Sequence, residues 1–213
     1  LAETASGYYL FDYYQGRLPL LDTGKPITVF SSHGHGDHYN PQIFPILKAL
    51  GMGDIYAVLS KDIAPRKHPA DIPVLRADAN RTYTLPQGEQ LETLRSTDQG
   101  VAFLLATREG LVYHAGDLND WTGAGEDEQE NRRMRANYRQ EIDQLKGRCI
   151  DVAFLPLDPR QEEHYADGLA YFLATVGPAR AYPMHYWQQP GVIRQFLQEY
   201  PQYQGIVQYT EQL

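Results

Sequence analysis

A segment at residues 33–38, with the sequence His-Gly-His-Gly-Asp-His, constrains this chain more than any other. It places three imidazoles and one carboxylate within six residues, and these are ligand types that zinc and its first-row neighbours accept. The apolar run before it, 27–30, predicts a short buried strand, along which His33 and His35 would point to the same side. The glycine spacers have no Cβ, so the chain can turn sharply and bring the next Asp and His into the same space. The pattern therefore predicts a metal-binding loop rather than a histidine-rich surface loop.

The size and charge of the chain limit its partners. With 213 residues it is long enough for one domain with a substantial core, which we place over residues 1–213. No apolar run approaches the length of a transmembrane helix, so we expect no membrane partner. The net charge of -8 argues against a nucleic-acid-binding surface, so we expect no nucleic-acid partner. The aromatic content leaves room for a homo-oligomer.

The single cysteine, Cys149, excludes an intrachain disulfide and suits a reducing compartment. Because the sequence also shows no signal peptide, we expect a cytoplasmic protein. Cys149 precedes the apolar run 150–157, which predicts a buried thiol rather than a nucleophile. The chain starts at Leu1 without a methionine, so we expect native residues to precede it.

Short strands alternate with helices along the chain. Helices are predicted at 41–50, with Asn40 as N-cap, and at 125–146, 162–175 and 191–198. Strands are predicted at 7–14, 27–30, 54–59, 72–75, 81–85, 90–96, 101–107, 111–115, 150–155, 179–184 and 205–209. The pattern indicates two α/β halves that meet near residues 85–95.

Polar residues follow several of these strands, where open α/β folds place their ligand sites. They include the turn 96–100, the Gly-Asp pair ending at Asp117 and the Pro-Met-His sequence ending at His185. A lone Asp at a strand end is usually a turn residue, and a lone His is usually just hydrogen-bonded. Their order after the motif at 33–38 makes them candidates for the same site.

This order of motifs resembles the metallo-β-lactamase superfamily, and the resemblance covers nearly the whole chain. The sequence segments 113–119 and 184–187 resemble those of its bacterial branch of metal-dependent hydrolases, which is similar to the ascorbate-phosphate lactonases. The resemblance implies an α/β (α+β) fold, a four-layer αββα sandwich with metals at one edge between the halves. It also implies a metallo-hydrolase with two divalent metal ions, with Zn²⁺ favoured and Mn²⁺ or Fe²⁺ as alternatives.

Carried over by position, the resemblance places His33, His35 and a third ligand at one metal. It places a second metal at Asp37, His38 and His185, with Asp117 bridging the two. The third ligand of the first metal is normally a histidine, but no histidine lies between His68 and His114. Asp98, in the turn 96–100, is the candidate replacement. A carboxylate can bind zinc, but it makes the position harder and more anionic, which weakens the preference for zinc over manganese or iron. Alternatively, Asp98 is only a turn residue and the first position is weak or empty.

The implied chemistry is attack by a metal-activated water on a carbonyl carbon or a phosphorus, with Asp37 as the catalytic residue that handles the proton of the water. Asp12 and Asp158 could fix imidazole tautomers, although each is more often a turn or cap residue. Aromatic residues that flank the motifs could wall a substrate pocket, and Arg160 could hold an anionic group. These aromatic residues are Tyr39, Trp121, Tyr186 and Trp187. The alternatives are ordinary packing for the aromatics and a local ion pair for Arg160.

Three functions remain open. The favoured one is a hydrolase of a small-molecule ester, lactone, amide or phosphate ester. The alternatives are a nuclease of the same superfamily, which would need a basic track that the acidic balance does not show, and a metal-binding protein whose catalysis has lapsed. The remaining histidines are expected to have structural roles. We place His68 at the surface, His114 hydrogen-bonded in a strand, and His164 at a helix start from which it could reach the cleft.

Overall fold

Each half of the chain builds one β-sheet, and the two sheets face each other. The computed structural model describes residues 1–123, 125 and 127–209. The first sheet contains, in spatial order, β1 (Ala2–Glu3), β2 (Tyr8–Phe11), β3 (Ile27–Ser31), β4 (Ile55–Ser60) and β5 (Val74–Ala77). The second contains β6 (Thr82–Thr84), β7 (Gln90–Arg95), β8 (Val101–Ala106), β9 (Leu111–His114), β10 (Val152–Pro156) and β11 (Arg180–Met184), in the spatial order β11-β10-β9-β8-β7-β6.

Strand direction determines where a site can form. Strands β2 to β5 run parallel to one another, with β1 antiparallel to β2 at the edge. Strands β9, β10 and β11 also run parallel to one another, whereas β6 to β9 form an antiparallel meander. Parallel neighbours end at the same edge of a sheet, so the loops that follow them lie side by side. The loop after β3 and the loops after β9 and β11 are of this kind, and they carry most of the predicted metal ligands.

Helices cover the outer face of each sheet. They are α1 (Ile43–Ala49), α2 (Glu128–Asp143), α3 (Asp167–Thr175) and α4 (Gly191–Glu199), with short 3₁₀ turns at Pro65–Lys67, Pro159–His164 and Pro201–Tyr203. The α2 helix is capped by Asp127, whose side chain accepts hydrogen bonds from the backbone amides of Gln129 and Glu130. In the described part of the chain, no helix combines the length and the apolar character needed to cross a bilayer.

Three apolar clusters separate the layers. Alternation along β3 shows the arrangement, because Ile27 and Val29 pack toward α1 while Phe30 points between the sheets. There the Phe30 ring lies 4.6 Å from that of Phe11 and 5.4 Å from that of Phe103, on the opposite sheet. A third cluster joins the second sheet to α2, α3 and α4. The predicted four-layer αββα sandwich is therefore confirmed.

Two predictions about chain organisation need correction. The change of sheet falls at residues 78–81 rather than 85–95, because the turn at 85–89 closes a hairpin that lies wholly within the second sheet. The predicted strand at 205–209 is reduced to a single bridge between Val207 and Ala181. Backbone turns from Tyr203 to Ile206 and Val207 keep the chain from extending there.

Two predictions about single residues are also wrong. Cys149 is exposed, because a tight turn turns it outward and the next residue, Ile150, enters the core instead. Asn40 does not cap the first helix, which begins at Ile43 with Gln42 in the N-cap position. The Asn40 side chain instead accepts a hydrogen bond from the Gln42 amide in the turn before the helix.

Candidate metal centre

Two glycines allow separate loops to approach the histidine segment closely. Gly100 has a φ of +71°, and a Cβ there would lie 1.9 Å from the carbonyl oxygen of Ser32. The neighbouring Val101 amide donates to that same oxygen at 3.0 Å. Gly116, with a φ of +53°, would place a Cβ 2.6 Å from that of Ser32. Since only glycine adopts these conformations without crowding, the turn 96–100 and the loop after β9 are held against the residues that begin the histidine segment.

Asp117 lies at the centre of the cluster, with its two carboxylate oxygens facing different imidazoles. Its Oδ2 lies 3.4 Å from His33 Nε2, and its Oδ1 lies 3.3 Å from His38 Nε2 and 2.9 Å from His185 Nε2. These residues are separated by up to 152 positions in the sequence, from 33 to 185. The fold therefore brings together residues whose convergence no local pattern could show.

The remaining donors pair with the same imidazoles. His33 Nε2 lies 3.0 Å from His35 Nδ1, and His38 Nε2 lies 3.0 Å from His185 Nε2. The Asp37 Oδ2 atom lies 3.7 Å from His38 Nε2. Ligand atoms about 2.0–2.1 Å from one tetrahedral ion are roughly 3.3 Å from one another. The spacing of these donors is thus that of ligands around a shared cation.

All seven predicted metal ligands fall within three overlapping groups, each with donor atoms within 4.8 Å of one another. The groups are His33, His38 and Asp117; Asp37, His38 and His185; and His35, Asp98 and Asp117. Asp98 therefore lies beside the cluster, at the place where the resemblance normally has a histidine. It is also part of a turn, since its amide donates to Ser96 Oγ at 3.1 Å. The structure thus shows the turn contact of Asp98 and places its carboxylate near His35 and Asp117, while its role as a metal ligand stays a prediction.

Two atoms of the cluster show that the donor set suits a cation. Asp117 Oδ1 and His185 Nδ1 are buried and make no hydrogen bond of acceptable geometry among the described residues, although His185 Nε2 lies 2.9 Å from the first and Asp158 Oδ2 lies 3.5 Å from the second. A buried polar atom without a partner costs about 1–3 kcal/mol. A divalent ion next to Asp117 would offset that cost at the carboxylate, and neutral imidazoles would complete its coordination. The residues present therefore fit a divalent metal.

The protonation of the donors follows from these contacts. Burial alone would lower the pKa of His185, but the carboxylates of Asp117 and Asp158 raise it to about 9. For His33, burial outweighs the neighbouring carboxylates and the pKa falls below its ordinary value. Burial would raise the pKa of Asp117, but the surrounding imidazoles lower it. Below about pH 9, a cation that used His185 as a ligand would therefore displace a proton from it.

Asp12 supports His38 from behind. Its Oδ2 accepts a hydrogen bond from His38 Nδ1 at 2.7 Å, and its Oδ1 accepts one from the Ser32 amide at 2.7 Å. The Ser32 hydroxyl also donates to Asp12, at 2.6 Å, and lies 3.1 Å from His33 Nδ1. Burial would raise the pKa of Asp12, but the nearby His114 and His38 lower it to about 2. Sequence reasoning missed Ser32, whose only signal was its position before His33.

Asp158 lies behind His185 in the same way. Its Oδ2 lies 3.5 Å from His185 Nδ1 and accepts a hydrogen bond from Trp187 Nε1 at 3.2 Å. The Arg160 guanidinium donates to both oxygens of this carboxylate and stacks over the Trp187 ring at 4.3 Å. Arg160 thus forms the local ion pair that the sequence left open, and the Asp158 carboxylate accepts hydrogen bonds from Arg160 and Trp187.

A cavity of about 340 Å³ opens above the donor cluster. Trp121, Arg160 and Trp187, predicted as substrate-binding residues, line it together with Met134 from α2. Sequence reasoning missed Met134, because α2 resembles a charged, solvated helix. Trp121 also donates from its indole nitrogen to the Asp117 carbonyl oxygen at 2.8 Å, which fixes the wall beside the cluster.

Two predicted substrate-binding residues lie elsewhere. Tyr39 is buried in the cluster between the first sheet and α1, where its hydroxyl donates to the Lys67 carbonyl oxygen at 2.5 Å. A turn from His35 to Tyr39 directs the side chain away from the donors. Tyr186 packs against the helices of the second sheet. Neither residue lines the cavity.

The other histidines are held by local contacts. His114, stacked on Phe11 at 5.0 Å, accepts a hydrogen bond from the Gly116 amide, and burial lowers its pKa to about 4. His68 and His164 lie 3.0 Å from the Ile63 carbonyl oxygen and from Asp167, respectively. None of the three belongs to the donor groups of the described residues.

Comparison with known proteins supports the fold. No protein-family model and no curated protein matches this sequence. Among solved structures, the chain is similar to Igni18, a metallo hydrolase from the archaeon Ignicoccus hospitalis, with a TM-score of 0.58 and 17% identity over 88% of this chain and 76% of that one. A proposed metal-dependent hydrolase from Parabacteroides distasonis gives a TM-score of 0.55 and 21% identity over 87% and 77% of the two chains.

The metallo-β-lactamase fold protein YhfI from Bacillus subtilis gives a TM-score of 0.55 and 10% identity, over 86% of this chain and 73% of that one. At these identities the similarity lies in the fold. The chain thus has the metallo-β-lactamase fold, as its motifs predicted. The particular hydrolase branch stays a prediction.

Proposed function

We propose that this protein is a metal-dependent hydrolase that acts on a small molecule with two divalent cations, Zn²⁺ being favoured. The observation that carries the proposal is the position of Asp117, whose two oxygens face His33 on one side and His38 and His185 on the other. One cation would be held by His33, His35 and Asp98, and the other by Asp37, His38 and His185, with Asp117 shared between them.

Bound divalent cations would supply Lewis acidity, polarising a carbonyl or phosphoryl oxygen and lowering the pKa of water. The side chains of the protein supply proton transfer and substrate orientation. Asp37 borders the cavity with a half-exposed side chain, where its carboxylate can accept and hold the proton of an attacking water. The indoles of Trp121 and Trp187 wall the cavity, so they can orient a substrate and limit the access of bulk water.

The cavity supports a small-molecule substrate. Its volume of about 340 Å³ lies within the usual range of ligand pockets. Among the lysine and arginine side chains of the described residues, only Arg160 lines it, and its charge is paired with Asp158. A nuclease needs a basic track for the phosphate backbone, so this lining favours a small ester, lactone, amide or phosphate ester.

The test combines metal content with substrate turnover. Protein stripped with chelator and reloaded with Zn²⁺ is analysed for bound metal and screened on a p-nitrophenyl ester, a simple lactone, an aryl amide and a phosphodiester. We expect about two equivalents of zinc and turnover of at least one substrate class. Asp117→Asn should lose both, whereas Asp143→Asn, an exposed carboxylate at the end of α2, should lose neither.

Full occupancy without turnover on any substrate would favour the metal-binding protein with lapsed catalysis. Absence of bound metal from correctly folded protein would overturn the proposal.

A further inference from the structure

The two proposed metal positions have the same donor types. Each combines two imidazoles with one carboxylate, His33, His35 and Asp98 at one and His38, His185 and Asp37 at the other. The shared Asp117 adds one oxygen to each side. Because Asp98 stands where a third histidine was expected, donor chemistry alone gives neither position an advantage. Any difference in affinity must then come from the surroundings of the donors.

Burial distinguishes the two positions. The side chains of His38 and His185 are 5% and 10% exposed, and only Asp37, at 38%, is half-exposed there. At the other position His33 is buried, but both His35 and Asp98 are exposed and border the open cavity. Exposed side chains lose more conformational freedom when they are fixed on an ion, and water can compete for the ion there. This position should therefore bind more weakly and exchange faster.

The contacts on the far side of each imidazole also favour tighter binding at the position of His38 and His185. His38 Nδ1 donates to the buried carboxylate of Asp12 at 2.7 Å, and the charge of Asp158 lies 3.5 Å from His185 Nδ1 without a hydrogen bond between them. His33 Nδ1 faces only the neutral hydroxyl of Ser32, at 3.1 Å. A carboxylate behind a ligand imidazole fixes its tautomer and raises its basicity, and such partners are worth about 10- to 100-fold in metal affinity.

We propose that the two positions load unequally: the buried position fills first and retains its ion, while the exposed position, closed by Asp98, fills second and exchanges. This inference rests on the proposed function, since it requires that the cluster binds two cations. The affinities should differ by about 10-fold or more.

Zinc release to a chromophoric chelator tests this directly. Protein loaded with two equivalents of Zn²⁺ should release one equivalent quickly and one slowly, about 10-fold apart or more. Asp98→Ala should remove the fast equivalent and leave the slow one unchanged. Asp98→His, which restores the expected third imidazole, should slow the fast step. The control is Asp71→Ala, an exposed carboxylate paired with Lys48, which should release zinc like the unmodified protein.

Because Asp98 is exposed, its variants should fold normally, and circular dichroism verifies this. Release of both equivalents in one step, or two equivalents retained by Asp98→Ala with unchanged rates, would overturn the inference while leaving the proposed function intact. A protein that binds no zinc would instead overturn the proposed function.

Discussion

Replacing Asp12 with asparagine should weaken metal binding through a change of imidazole tautomer. The carboxylate, whose pKa is lowered to about 2, can only accept hydrogen bonds, so His38 Nδ1 must donate to it across 2.7 Å. This leaves the lone pair of His38 Nε2 facing Asp117 and His185, where a metal would bind. The carboxylate thus selects the tautomer that can act as a ligand.

Asparagine has the shape of aspartate and tolerates the φ of 44° at residue 12. The Ser32 amide needs an acceptor, so the amide oxygen of Asn would face it and the NH₂ group would face His38. His38 Nδ1 would then accept, and Nε2 would carry the proton. Loss of such a partner costs about 10- to 100-fold in metal affinity. This loss corresponds to about 1.4–2.7 kcal/mol.

The assay is competition for Zn²⁺ with a chelator of known affinity. The Asp12→Asn protein should show the weaker binding with an unchanged circular dichroism spectrum. Asp22→Asn serves as the matched control, because this exposed carboxylate accepts a hydrogen bond from the Gly24 amide in a surface turn and lies outside the donor cluster. If folded Asp12→Asn protein bound zinc as tightly as the unmodified protein, the tautomer argument would be refuted.

Three further predictions concern stability, pH and substrate binding. Gly100→Ala should destabilise the protein by at least about 1–2 kcal/mol in urea denaturation, because the new Cβ would crowd the Ser32 carbonyl oxygen in addition to straining the left-handed backbone. Gly88→Ala should show the backbone strain alone, because a Cβ at that position has no atom within 4 Å. Because the pKa of His185 is raised to about 9 and that of His38 is also raised, zinc binding near pH 7 should release at least about one proton and should weaken as the pH falls. Calorimetry in buffers of different ionisation enthalpy measures this release, and equal heats in all buffers would contradict it. Trp187→Ala should raise KM by roughly 10-fold while Tyr39→Phe leaves it unchanged; equal effects would contradict the assigned positions.

The folding pattern was accessible from sequence where it depends on local composition. Apolar runs such as 27–30 and 101–107 predict strands because their residues pack well on a pleated surface, and the observed strands β3 and β8 lie within one residue of them. The end of the chain was less accessible. The run 205–209 has the composition of a strand, but turns around Tyr203 leave only the bridge at Val207.

The site, like the fold, was predictable from sequence only where local residues determine it. The motif at 33–38 places four donors by local geometry alone, and motif order singled out Asp117 and His185. The direction of Tyr39 depends on a single turn, and the contribution of Met134 depends on how α2 lies across the second sheet. Neither leaves a periodic signal in the sequence, so both required the structure.

A crystal structure of zinc-loaded protein, with anomalous scattering recorded at the zinc edge, tests the central claim most directly. We predict two anomalous peaks on either side of Asp117, one in contact with His33, His35 and Asp98 and the other with Asp37, His38 and His185. The absence of anomalous density next to Asp117, or zinc bound only elsewhere on the protein, would contradict the account.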